Sequence, residues 1–207
     1  MHQDDIDEMA IPSYLHKNPF VRWIVFMRMQ KITELVKSDK KSIHVLDFGC
    51  GTGMLNLQFQ NDEIDYHGVD LITWPAEFVL NKAGKKNYKI INADNWFDDF
   101  EDNSLDCIVC IEVLEHLTKV ELEELMYHFE KKLNPNGKLI VSGPTESVFY
   151  RLMRKVAGFS GAYHETNIFR IRKVIEKKSS FIADKSIKLP IPGWFTLFEI
   201  IRYKVTE

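Results

Sequence analysis

The sequence predicts an α/β domain built on a doubly wound, mostly parallel sheet, and three observations carry that prediction. Short apolar runs alternate with stretches of helical periodicity between Ile43 and Ser142, the pattern of successive βαβ units. The first of these runs breaks abruptly into the alternate glycines Gly49, Gly51 and Gly53. Acidic residues, Asp70, Asp94 and Glu112, stand at the ends of later runs, where open α/β sheets hold their ligands. A chain of 207 residues with 45% hydrophobic composition suits one domain with a full core. A single domain over 1–207 is therefore expected, with 1–40 as an N-terminal helical cap and 144–180 as a lid insertion.

The N-terminal helix is expected over 18–37. Asn18 is a suitable N-cap and Pro19 stands at the first helical position, where a missing amide costs nothing. Val21, Ile24, Met27, Ile32, Leu35 and Val36 give an interrupted apolar face, with Arg22, Arg28 and Lys31 interspersed. Docking over a pocket mouth is the simplest reading. Phe20, Trp23 and Phe26 beside basic residues make a membrane-surface helix the alternative.

Ile43–Phe48 reads as the first strand. The glycines after it take positive φ without a Cβ penalty and bring backbone amides against a ligand. Met54–Gln60 carries no breaker and is expected to form a helix pointing back at that loop. Further strands are expected at Ile64–Val69, ending at Asp70, at Tyr88–Asn92, running to Asp94 and Asn95, at Leu105–Ile111 and at Lys138–Ser142. The turn Asn134-Pro135-Asn136-Gly137 leads into the last of these. Before it lies the clearest helix: Thr118 with Glu121 makes a capping box, and Leu122, Leu125, Met126, Phe129 and Leu133 keep helical spacing. Val148–Phe159 is helical in pattern and basic at Arg151, Arg154 and Lys155. Ser186–Leu189 and Leu197–Val205 read as two final strands joined by a turn carrying Pro190 and Pro192.

Charge and cysteines narrow the class. A formal charge of −3 argues against broad electrostatic capture of nucleic acid. Met1–Glu8 lacks the basic and apolar regions of a secretory signal, and no apolar run reaches the ~20 residues of a spanning helix. A cytoplasmic protein is expected. Cys107 and Cys110 form a C-x-x-C, but within L-D-C-I-V-C-I, a strand pattern that sends the two thiols to opposite faces. They read as ordinary buried thiols, and Cys50 as a small residue fitting the glycine loop.

Two ligands suit such a loop: a nicotinamide or flavin dinucleotide, and S-adenosylmethionine. A dinucleotide fingerprint needs glycine at relative positions one, three and six, and the sixth position from Gly49 is Met54. With Asp47 two residues ahead of Gly49, the stretch D-F-G-C-G-T-G resembles motif I of the class I S-adenosylmethionine-dependent methyltransferases. Gly68-Val69-Asp70, Ala93-Asp94, Leu105–Leu117 and Asn134–Val141 are similar, in the same order, to later motifs of that family. Asn134-Pro135-Asn136-Gly137 departs from the Leu-x-Pro-Gly-Gly common there. The resemblance implies a Rossmann-like, seven-stranded sheet with a C-terminal antiparallel edge hairpin. It also implies S-adenosyl-L-methionine as cofactor and S-adenosyl-L-homocysteine as product. The binding set would be Asp47, Gly49, Cys50, Gly51, Gly53, Asp70, Leu71, Asp94, Asn95 and Ile111. In it, Asp70 would accept from both ribose hydroxyls and Asp94, with Asn95, would meet the adenine amino group. Asp47 would order the loop amides or approach the methionine ammonium through water.

On the acceptor side Glu112, Glu115 and His116 fall three and four residues apart, so one helical turn would bring them onto one face. Three readings stay open. His116 is a general base for a hydroxyl acceptor, beside Glu112 and His164. Alternatively Glu112, Glu115, His116 and His164 hold a divalent cation, an arrangement that resembles the metal-dependent small-RNA 2′-O-methyltransferases and ubiquinone-pathway O-methyltransferases. In the third, Glu112 supports the cofactor, Glu115 is solvated and His116 caps the turn; no metal is predicted. The expected activity is methyl transfer to a small or lipid-linked acceptor, at oxygen. An NAD(P)-dependent reductase and a non-catalytic S-adenosylmethionine-binding subunit are the alternatives. The basic helix from Val148 would cover the acceptor as a solvated lid, a site for an anionic acceptor, or a peripheral contact with an anionic membrane. The oligomeric state is not written in the sequence.

Overall fold

A computed structural model describes residues 14–37, 43–59, 64–156 and 167–205. Its strands are β1 (Ile43–Phe48), β2 (Ile64–Asp70), β3 (Tyr88–Asn92), β4 (Leu105–Ile111), β5 (Leu133–Pro144), β6 (Phe181–Leu189) and β7 (Phe198–Val205). They form one seven-stranded sheet of order β3-β2-β1-β4-β5-β7-β6. The first five are parallel, and β7 runs antiparallel between β5 and β6. β4 is buried along most of its length, as a strand covered on both faces must be. Its two thiols separate accordingly: Cys107 joins the core on one face and Cys110 the core on the other. All three cysteines are free and buried.

The helices are α1 (Pro19–Val36), α2 (Trp74–Lys82), α3 (Lys119–Lys132), α4 (Val148–Val156) and α5 (Ile168–Lys178). The Asn18 side chain accepts the Phe20 amide at 2.9 Å and starts α1. Ile24, Val25, Met29, Ile32, Leu35 and Val36 then bury on the sheet face shared with Ala76-bearing α2 and its Leu80. α1 runs against the direction of the parallel strands. Arg28 meets Glu112 beyond the carboxyl end of β4, and the Lys37 carbonyl accepts from Lys138 Nζ near the start of β5. On the opposite face α3 has its capping box, with Thr118 accepting from the Glu121 amide and the Glu121 carboxylate accepting from the Thr118 amide. Its Leu122, Leu125, Met126 and Phe129 are buried, and Phe129 packs edge-on to Phe48 and Trp96. Each such side chain contributes about 1.5–3 kcal/mol through burial.

Three expectations change. Over 54–59 no α-helix forms; the chain turns and makes one 3-10 helix at Asn56–Gln58 before Phe59 becomes extended, and Gln60 lies outside the described residues. So short a segment cannot offset helix nucleation by itself, and Leu55 and Phe59 anchor it in the core beside α1. α1 thereby covers the face that a helix after the loop would have covered, so it is part of the core as well as a cap. The span 144–180 is not a single lid. α5 within it is a crossover helix, with Ile168, Ile171 and Ile175 buried beneath it and Asn167 capping its first turn. α4 ends at Val156, and the remainder of the expected 148–159 helix lies outside the described residues, as does His164. Finally, β5 and β6 start earlier than expected, at Leu133 and Phe181. Among the described residues no helix is long and apolar enough to cross a membrane.

Candidate functional site

The glycine loop sits where β1 ends, between β2 and β4. The Gly49 and Cys50 amides both donate to the Val69 carbonyl, at 2.8 and 3.0 Å, and this folds the loop back over the end of β2. Gly49 has φ +75°, and a Cβ there would lie 2.5 Å from Val113 Cγ2. Gly51 has φ +55° and faces open space, the side from which a ligand could approach the backbone. Gly49→Ala is therefore expected to cost about 2 kcal/mol through backbone strain alone. A lowered denaturant midpoint together with weakened cofactor binding would check it.

Asp70 organises this loop. Its Oδ2 accepts the Gly51 amide at 2.8 Å and its Oδ1 accepts the Ile72 amide at 3.2 Å. The expectation that Asp47 orders the loop amides is not met. Asp47 is buried and accepts the Tyr66 hydroxyl at 2.6 Å, and burial pushes its carboxyl up to about 7, with the Asp70 charge adding to the rise. Burial also raises the Cys50 thiol, which makes it a packing residue rather than a nucleophile. Leu71 is exposed just beyond Asp70, and its carbonyl accepts from Asn92 Nδ2 at 3.1 Å. Asp94 and Asn95 are exposed in the 3-10 segment Ala93–Asp99, with the Asp94 amide held by Asn92 Oδ1 at 2.9 Å. Ile111, half-buried, ends β4 one residue before Glu112. The cofactor-side residues read from the sequence thus gather along the carboxyl ends of β1 to β4.

Of the acceptor-side residues described, Glu112 and Glu115 lie in the field of Arg28 but do not share one helical face with His116. Only Leu114–His116 is helical, as a 3-10 turn, and Glu112 precedes it with φ +52°. A non-glycine residue there costs about 1 kcal/mol. The Glu112 amide donates to the Ser142 carbonyl at 2.9 Å, and its carboxylate accepts Arg28 Nη2 at 2.7 Å. The expected single face is therefore absent: Glu112 turns to Arg28, Glu115 points into the interior and His116 is exposed. Among the described residues no group of three or more His, Cys, Asp or Glu is placed to share a metal ion.

Arg28 was not read from the sequence as a site residue, although its spacing four residues from Ile24 and from Ile32 puts it on the buried face. It is 1% exposed, its guanidinium lies 4.3 Å from the Phe198 ring centroid, and Nε and Nη1 have no hydrogen-bond partner among the described residues. Tyr14 closes over the same corner; burial pushes its hydroxyl up to about 12 within the fields of Arg28, Glu112 and Asp47. Glu115 is equally enclosed, not solvated. Burial, then the Glu112 charge, pushes it up to about 8 from 4.5. The folded state thus binds this proton more tightly than the unfolded chain does. Stability present below about pH 4.5 is lost as pH rises to about 8. Glu115→Gln is expected to flatten that decline, which melting curves of both proteins between pH 5 and 9 would read.

A family model described as a methyltransferase domain matches residues 20–178. The ubiquinone biosynthesis O-methyltransferase of Rickettsia bellii (strain OSU 85-389) is 28% identical over 120 residues, 56% of this chain and 49% of that protein. The Rickettsia akari (strain Hartford) protein of the same name is 27% identical over 115 residues, 55% of this chain and 45% of its own. The chain spans about half the length of the curated relatives it matches. Two solved structures share the fold. The magnesium protoporphyrin IX methyltransferase of Synechocystis PCC 6803, solved with S-adenosylhomocysteine, has a TM-score of 0.68 at 18% identity, covering 98% of this chain and 94% of that one. The N-methyltransferase NodS of Bradyrhizobium japonicum WM9, solved with the same molecule, has a TM-score of 0.71 at 15% identity, covering 97% and 95%.

Proposed function

The chain belongs to the methyltransferase-domain family, and we propose that it transfers a methyl group from S-adenosylmethionine to an oxygen of a small or lipid-linked acceptor. The observation that carries the cofactor reading is the Asp70 carboxylate. It has about four acceptor sites, and backbone amides of Gly51 and Ile72 take two of them. Two remain for a vicinal pair of ribose hydroxyls, beside a glycine whose missing side chain leaves open space. Leu71, Asp94 and Asn95 then bound the adenine. Gly49, Cys50, Gly51, Gly53 and the Ile111 backbone bound the methionyl end, with Asp47 behind them. The unpartnered N–H groups of Arg28 fit a carboxylate there.

When bound, the cofactor supplies a methyl group already activated on a sulfonium. The protein's residues have only to align the acceptor, exclude water and take one proton. Proximity supplies much of such an acceleration. His116, exposed where the chain leaves β4, is assigned the proton, with His164, outside the described residues, as its expected neighbour and Glu112 held by Arg28. Oxygen as the accepting atom is supported by the O-methyltransferase relatives.

Calorimetric titration with S-adenosylhomocysteine and with NADH tests the cofactor, and binding of NADH alone would overturn it. Transfer of labelled methyl groups into aqueous and lipid fractions tests catalysis. Tight S-adenosylhomocysteine binding with no transfer into either fraction would leave a binding subunit.

A further inference from the structure

The two ends of the sheet differ in their surfaces. Toward the amino ends of the strands two exposed carboxylates are paired with cations. Asp102 meets Lys131 and Lys132 at 3.4 and 2.9 Å, and Asp184 meets Arg202 and Lys204 at 2.7 and 3.1 Å. Around the carboxyl ends, where the candidate site opens, large apolar side chains stand in solvent. Leu71 and Trp74 follow β2, Leu152 lies on α4 beyond β5, and Trp194 and Phe195 form the turn between β6 and β7. Trp23 belongs to the same rim. Arg28 is level with Glu112, so the N-terminal turns of α1 rise above the sheet at about 1.5 Å per residue.

Trp194 is 92% exposed at the tip of its turn, and that turn is built rather than loose. Thr145 Oγ1 donates to the Thr196 carbonyl at 2.9 Å, the Thr145 amide donates to the Leu197 carbonyl at 3.0 Å, and Phe149 packs edge-on to Phe195. The start of α4 and the Trp194 turn therefore form one knob. Exposed cations, Arg151 on α4 and Lys188 before the turn, sit beside it without a carboxylate partner among the described residues. Aromatic tips mixed with unpaired cations, around the mouth of a site, are complementary to an anionic headgroup layer. A folded partner would need a pocket for a convex tryptophan, whereas a headgroup layer yields to it.

We propose that this rim seats the protein on an anionic lipid bilayer, with Trp194 and Phe195 inserted among the headgroups and Arg151 and Lys188 at the phosphate level. The site mouth then faces the bilayer, and a lipid-linked acceptor reaches it without crossing water. Only this last step rests on the methyl-transfer reading; the docking stands on the rim itself.

Flotation with vesicles of phosphatidylcholine, with and without phosphatidylglycerol, tests it. The protein is expected to float with the mixed vesicles and to be released by salt. The double variant Trp194→Ser with Phe195→Ser is expected to partition at least about tenfold more weakly, and Ile182→Ser, at the opposite end of the sheet, as the parent does. No flotation of the parent, or equal flotation of the double variant, overturns the proposal. So does a dimer in sedimentation equilibrium that the double variant disperses without any vesicle binding. S-adenosylhomocysteine titration of the double variant is expected to match the parent, which assigns lost flotation to the rim. Failure of the parent to bind that molecule would sink the cofactor reading and leave the flotation result standing.

Discussion

Asp70→Ala is expected to weaken S-adenosylhomocysteine binding by roughly a hundredfold to ten-thousandfold. Hydrogen bonds to a charged carboxylate contribute about 1.5–3 kcal/mol each, and two ribose hydroxyls would lose one apiece. The variant also releases the Gly51 amide, which Asp70 Oδ2 holds at 2.8 Å, so the loop loses the contact that presents its backbone to the ligand. Asp70→Asn separates the two effects. Its amide oxygen can still accept from Gly51, while the charge and the second acceptor oxygen are gone, so an intermediate affinity is expected. Stability should move little, because the released amides lie at a half-buried position open to water. Calorimetric titration read beside melting curves without ligand checks both statements. Equal affinity of Asp70→Ala and the parent protein would remove the ribose assignment.

The placement of the residues proposed for the cofactor is legible in the sequence because local backbone chemistry fixes it. Alternate glycines announce positive φ, and an acid at a strand end is placed by the strand itself. Even so, of the two roles expected of Asp47, ordering the loop amides or approaching the methionine ammonium through water, the first falls to Asp70, and Asp47 is held by Tyr66. That distinction depends on which side chain faces the loop and which faces the interior. The acceptor side was misread for a related reason. Three-and-four spacing describes a face only where the backbone is helical, and Glu112 lies in the left-handed region before the helical turn begins. The helix expected after the loop failed through tertiary override. α1 already covers that face, so Leu55 and Phe59 needed only to fill it. α5 falls inside the span 144–180 expected as a lid insertion, although Ile168, Ile171 and Ile175 have helical spacing.

Arg28→Ala is expected to lower stability by about 3–5 kcal/mol, since it empties the space of a buried side chain and removes its ion pair with Glu112. For a domain of this size that is a fall in Tm on the order of 10 °C. The guanidinium stack on Phe198 is lost as well, so Arg28→Lys is expected to restore only part of the stability. A double variant, Arg28→Met with Glu112→Gln, removes both charges and should recover most of it, because buried ion pairs rarely exceed an apolar pair of similar shape. Structural and functional roles then come apart. A ligand at a hundred times its Kd stabilises the folded state by about 2.7 kcal/mol. The parent protein is expected to show that shift with S-adenosylhomocysteine, and the refolded double variant a much smaller one at the same concentration. A full ligand-induced shift in the double variant would assign Arg28 to the core alone. A lost shift would place its unpartnered N–H groups against the carboxylate of the cofactor.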